Sequence, residues 1–351
     1  MVFNDMYPYI RTESQEIYYL SKVAGDERLK NLCISKGYSG ILMPIWYDYN
    51  EEEDYIDFPK DYRFSNVDVV TMRSTWENEF EIFAGFRVGK VKCSHGDVNS
   101  GYFAFDALGE RWVSAHGLEN YDVDGYWDIS QNGTRWNYYC KRAEANNCIV
   151  INPSQSVGQN VSGEAQMDRF ETSEKSALAI SDLSESYSDY VTSYRRGVSL
   201  YDNRTRFKVQ DEIMLKNDSE LYWFMNTPAK IEISEDKHSA ILTIGDKRVW
   251  VGATCDTDFA FSQMKAIPLS TSPNPEGQTD WSNVNKLVVH FDSIKSVNLC
   301  VELVPLYSYS AVPEKPDEFI FLDSWRTEDG IYDDSYSATS EIEIAPSEDT
   351  Y

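Results

Sequence analysis

The sequence predicts an all-β protein: an antiparallel multi-layer β-sandwich with a short helical segment near its N-terminus. Three observations carry this. Aromatic residues are abundant, with 24 Tyr, 16 Phe and 9 Trp among 351 residues, and such side chains suit a pleated, half-buried surface. From about residue 64 the apolar pattern has a period of two. Turn chemistry then recurs between short runs, at Leu108-Gly109, Asp202-Asn203, Lys216-Asn217-Asp218 and Gly245-Asp246.

The elements follow in order. Residues 13–33 read as helix, with Ile17, Leu20, Val23 and Ala24 on one face and a break at Gly25-Asp26. Leu29 and Leu32 suggest a further short turn. Residues 34–62, with the acidic run Glu51-Glu52-Glu53-Asp54, read as an irregular connector. Val67, Val69 and Thr71 then alternate, and Glu81 to Phe86 reads as a strand ending at Gly89. Further strands are expected at 102–106, 111–114, 148–152, 178–181, 191–200, 205–213, 221–227, 229–233, 239–243, 248–252, 258–262, 286–291 and 297–303. Residues 268–281 form a Pro/Gly/Ser loop. The organisation is therefore a helical remnant and connector (1–62), a sandwich (63–310) and an acidic tail (311–351) expected to be extended or disordered in part.

Composition excludes several function classes. The net charge is −26, so nucleic acid is not an expected partner, because phosphate contacts need clustered Lys and Arg. No run of 18 apolar residues exists, so no transmembrane helix is expected. The start, Met1-Val2-Phe3-Asn4-Asp5, has neither the basic nor the apolar region of an export signal. The six cysteines form no CxxC pair and read as buried free thiols. No nucleophile elbow or phosphate-cradling Gly loop is present.

The chemistry-bearing stretch is His95 to Trp112. There His95-Gly96-Asp97-Val98-Asn99 leads into the alternating aromatic run Tyr102-Phe103-Ala104-Phe105 and a Gly109 turn. An imidazole and a carboxylate at a strand mouth sit on a rigid support, and a His-x-Asp pair at period two would share one side of a strand. The alternative is an ordinary strand-end histidine with its hydrogen bond satisfied.

This block belongs to a wider set: Val69 to Trp76, Asn120-Tyr121, Gly125-Tyr126-Trp127, Tyr138 to Glu144, Ile149 to Pro153, Val209 to Glu212 and Trp223-Phe224-Met225. Together, over roughly residues 60–305, they resemble the C-terminal part of bacterial heparinase II/III-like polysaccharide lyases. The resemblance implies a β-sandwich preceded, in the family, by an α/α toroid. Residues 13–33 would be the end of that toroid, with the rest missing or supplied by another chain. It implies β-elimination on uronate-containing glycans: a base removes the C5 proton, the uronate carboxylate is neutralised, and an acid protonates the C4 leaving oxygen.

The resemblance also implies site residues. His95 falls on the family's sandwich-borne catalytic histidine, and Asp97 on a metal-ligand position. The other two ligand positions fall on Ala115 and Asn146, which serve zinc badly, so no zinc is expected and Asp97 is the one retained candidate. His116 could substitute for Ala115, although a one-residue shift on a strand reverses side-chain direction. Tyr139, Arg142, Glu144 and Asn147 are the expected substrate-binding residues, with an ion pair between Arg142 and Glu144 beneath the site as the alternative. Tyr138 could stack on sugar. Trp76, Trp112, Trp127, Trp136 and Trp223 read mainly as core, with a sugar platform as the reading for any that are exposed, since periodicity does not separate the two cases. The expected partner is an acidic polysaccharide, and the family's compartment is periplasm, cell envelope or exterior. Two other readings are a glycan-binding or scaffolding sandwich without catalysis, and a purely structural protein.

Overall fold

The computed structural model describes residues 15–35, 42–46, 58–76, 81–93, 95–113, 115–308 and 311–328. The connector's acidic run and the end of the expected tail lie outside these residues.

Three helices come first: α1 (Gln15–Ala24), α2 (Glu27–Ser35) and α3 (Met43–Trp46). The break at Gly25 is where expected, at a φ of 70° that glycine adopts without strain. The buried face is not the expected one. Ile17, Leu20 and Val23 are exposed, whereas Tyr18 and Ser21 are buried. Periodicity identifies a stripe but not a partner for it, and no described element covers this one.

The strands are β1 (Tyr62–Phe64), β2 (Val69–Arg73), β3 (Phe83–Arg87), β4 (Tyr102–Ala107), β5 (Glu110–Val113), β6 (Ile149–Ile151), β7 (Gln166–Thr172), β8 (Ala177–Asp182), β9 (Val191–Tyr201), β10 (Arg206–Thr227), β11 (Lys230–Ile233), β12 (Ser239–Ile244), β13 (Lys247–Cys255), β14 (Phe261–Lys265) and β15 (Asn285–Leu306). They form a five-stranded sheet, β1-β2-β3-β4-β5, and a ten-stranded sheet, β11-β12-β13-β15-β10-β9-β8-β7, with β14 on β15 and β6 on β10. Every pairing is antiparallel.

The expected breaks at 214–220 and 292–296 are not turns. β10 and β15 run through them as 22-residue strands paired along their length, with register shifts between Met214 and Leu221. Lys216-Asn217-Asp218 is turn-like in isolation. Here the two strands are irregular opposite each other, so the residues are absorbed as a bulge that bends the pair.

The inner faces of the two sheets meet in one core. Val70, Phe86, Phe103, Phe105 and Trp112 of the small sheet pack with Val198, Phe207, Val209, Trp223 and Leu303 of the large one. Phe105 and Phe207 stack at 5.3 Å. Tyr102 and Ala104, on the opposite face of β4, are buried with Trp136, Cys148, Val150 and Phe224. The segments 88–101, 115–148 and 152–165 thus form a third, irregular layer.

A buried ion pair ties this layer to the large sheet. Arg196 grips Asp211 through two bonds of 2.7 and 2.9 Å, and donates to the Gly101 and Asn147 carbonyls. Residues 317–328 lie across the outer face of the large sheet. Leu322 and Trp325 pack on Leu178 and Ile180, and Glu212 accepts from the Leu322 amide. All six cysteines are free. No described helix is long and apolar enough to cross a membrane.

Candidate functional site

His95 lies in the loop between β3 and β4. Its φ is 60°, in the left-handed region, where non-glycine residues are uncommon although His is enriched. That turn undoes the expected His-x-Asp geometry. His95 is half-buried at the surface and Asp97 points into the interior. The stretch is not a strand, so period two does not apply.

The half-buried imidazole packs against two exposed rings. Tyr121 lies 5.6 Å away and Trp127 lies 5.3 Å away, edge-on. Trp127 is 58% exposed and Tyr121 41%. Tyr126 supports both rings from below. Periodicity left Trp127 between core and exposed platform, and it is exposed. It sits among Gly, Asp and Asn from 120 to 133, a loop composition that argues for exposure and was the available signal.

Arg135, fully buried, organises this rim. Its Nε donates to the Gly96 carbonyl at 2.8 Å and its Nη1 to the Tyr126 carbonyl at 3.0 Å. Its guanidinium lies 4.3 Å from the centre of the Tyr126 ring. One side chain therefore fixes the residue after His95 and the residue before Trp127. Neither Arg135 nor Lys141 stood out in the sequence, because their value lies in burial.

Asp97 is buried between these cations, with Lys141 Nζ at 3.2 Å and Arg135 Nη2 at 3.6 Å. Lys141 also donates to the Gly117 carbonyl. The positions expected to ligate zinc do not fit it. An ammonium stands beside the Asp97 carboxylate, Ala115 has no side-chain donor atom, and the Asn146 amide donates to the Cys140 and Arg142 carbonyls. His116 does not join Asp97. It bonds Asn226 at 3.2 Å, and its ring packs on Tyr139 and Trp281. Burial pushes its pKa down to about 3, so it is neutral near pH 7.

The expected substrate-binding residues Tyr139, Arg142, Glu144 and Asn147 are all buried. Arg142 and Glu144 pair at 3.4 Å, Arg142 between two 3₁₀ turns and Glu144 on the second, rather than on strands. Arg142 also holds the Trp136, Ser154 and Ser156 carbonyls. Glu144 accepts from the Leu269 amide and the Ser272 hydroxyl. Asn147 accepts from the Asn226 backbone and side-chain amides and donates to the Phe103 carbonyl. Tyr138 is buried, donating to the Asp124 carbonyl. These groups pin the third layer and the 266–284 loop to the sheets. A cavity of about 610 Å³ opens at the far end of the small sheet, among Ser74, Glu81, Leu108, Arg204 and Arg248. His95 is not in its lining.

The two-sheet arrangement with its irregular layer recurs in solved structures. A heparinase III superposes with a TM-score of 0.65 at 13% identity, over 87% of this chain and 43% of that one. The fold is that of the C-terminal part of heparinase III. A second heparinase III structure gives 0.64 at 13% identity, over 87% of this chain and 44% of that one. A heparan sulfate lyase from Pedobacter heparinus gives 0.66 at 11%, over 88% and 44%. The chain thus spans less than half the length of the heparinase III structures it resembles. No family model matches the sequence, and no curated protein does.

Proposed function

We propose that this chain is the sandwich part of a polysaccharide-lyase-like protein and that its His95 rim receives an acidic, uronate-containing glycan. The observation that carries this is the half-buried His95 between the exposed rings of Trp127 and Tyr121. Exposed aromatic faces suit the apolar faces of pyranose rings, and an imidazole within reach has the chemistry of a general acid or base.

In β-elimination His95 moves a proton, either from C5 or to the C4 oxygen. The uronate carboxylate must be neutralised for the C5 proton to leave. Arg135 and Lys141 are buried against Asp97, so neutralisation comes from outside this layer, as from the toroid that the sequence resemblance implies. No zinc takes part in this reading, because Lys141 already answers the Asp97 charge. That internal neutralisation favours a second reading, in which the rim binds glycan without cleaving it.

The test is absorbance of the unsaturated uronate product with heparan sulfate, hyaluronan and alginate, alongside glycan binding. Elimination that disappears in His95→Ala supports the lyase reading. Binding without product supports the second. Failure to bind any of the three glycans overturns both.

A further inference from the structure

A second cluster, sharing no residue with the His95 rim, lies where the 266–284 loop crosses the large sheet. Lys286 on β15 pairs in register with Asn226 on β10, so both side chains project from the same face. Asn226 Oδ1 can only accept, so the His116 Nε2 facing it carries the proton. Tyr139 and Trp281 pack on the His116 ring at 5.6 and 4.9 Å. Lys286 Nζ lies 5.4 Å from the centre of the Tyr139 ring and 4.4 Å from that of Phe224.

The hydrogen bonding of this cluster is one-sided. The Lys286 side chain is fully buried, and its one hydrogen bond among the described residues is a long 3.4 Å donation to the Ile267 carbonyl. No described carboxylate lies within ion-pairing distance. Glu144, the acid nearest in influence, is already held by Arg142, Leu269 and Ser272. The Tyr139 hydroxyl and the Trp281 indole N–H are buried with no partner. Tyr139 itself is 2% exposed. An indole N–H and an ammonium donate only, and a phenol at neutral pH donates most readily. Three buried donors, one of them charged, thus pack around neutral His116 with a single long bond, from Lys286 to the Ile267 carbonyl, among them. A buried donor left unpaired is destabilising, and a charged one more so.

We infer that Lys286, Tyr139 and Trp281 form a binding site for one small monovalent anion, a carboxylate or a halide, closed by the 266–284 loop. The anion supplies the missing acceptor to all three and a counter-charge to the ammonium. Half-buried Trp281 is the side of entry. The loop is fastened on one arm by Gln278, which accepts from the Tyr139 amide at 2.8 Å, and by Thr279, which donates to Glu119, and on the other by Leu269 and Ser272, which donate to Glu144. The same chemistry could come from a free ion or from the carboxylate of an acidic sugar.

The full chain is titrated with chloride, acetate and glucuronate at constant ionic strength, following its melting temperature. The expected result is a saturable rise. Response to all three assigns a free small anion, and response to glucuronate alone assigns the acidic sugar. Tyr139→Phe and Trp281→Phe each weaken the apparent affinity about fivefold, the value of one hydrogen bond of about 1 kcal/mol, and Lys286→Met abolishes the response. Crystals grown in bromide should carry an anomalous peak within hydrogen-bonding distance of Lys286 Nζ. No saturable rise, an equal rise in Tyr139→Phe, or a water in place of bromide would overturn the site. Tyr139→Phe decides the matter even if Lys286→Met does not fold.

Discussion

Two histidines in this molecule have nearly the same neighbours and opposite characters. His95 packs on Tyr121 and Trp127, and His116 packs on Tyr139 and Trp281. The first pair of rings is open to solvent, leaving one face of the cluster available to another molecule. The second lies under a loop, and desolvation holds His116 neutral down to about pH 3. Residue type and aromatic company therefore do not tell the two histidines apart. Access to solvent does.

The comparison can be broken first at what both histidines share. The layer carrying them is anchored by Arg196 and Asp211, and removing one partner leaves an uncompensated buried charge. Asp211→Ala is expected to cost about 3–5 kcal/mol in chemical denaturation and to lower glycan binding and the chloride response together. A loss under 1 kcal/mol would mean that the anchor is not what holds the layer.

The buried member is next. His116 has a folded pKa of about 3 and an unfolded one near 6.5. The unfolded chain takes up a proton between these values and the folded chain does not. The stability contribution is thus complete above pH 6.5 and declines as pH falls toward 3, by roughly 1.4 kcal/mol per unit. His116→Gln keeps a donor for Asn226 but cannot take up the proton, so its stability should fall less steeply in that window. Equal slopes would remove burial as the cause.

The smallest effect belongs to the open member. Trp127→Ala is expected to weaken glycan binding by about 1 kcal/mol, roughly fivefold, with stability within about 0.5 kcal/mol of the parent. A large stability loss with unchanged binding would make Trp127 structural and bring the two clusters closer than proposed.

Much of the fold was legible in the chain. Alternation marked most strands to within a residue or two, because one face of each is buried and register has only two choices. It did not reveal that β10 and β15 run unbroken through Lys216-Asn217-Asp218, since a bulge and a turn use the same residues. It missed β1 and β7, and it chose the wrong face of α1. For the site, the sequence pointed to His95 through the residues around it. It offered Tyr139, Arg142, Glu144 and Asn147 as substrate contacts, and all four are buried.

Residue order thus dictated the strand-rich character, the turn positions and the polar stretch before β4, because these depend on near neighbours and on a repeat of two. Tertiary structure alone decided which aromatic rings face water, that Asp97 is answered by Lys141 and Arg135, and that Lys286 is buried with no described carboxylate beside it. Each of those depends on residues brought together across tens of positions, where solvent exclusion and charge pairing have no imprint on local pattern.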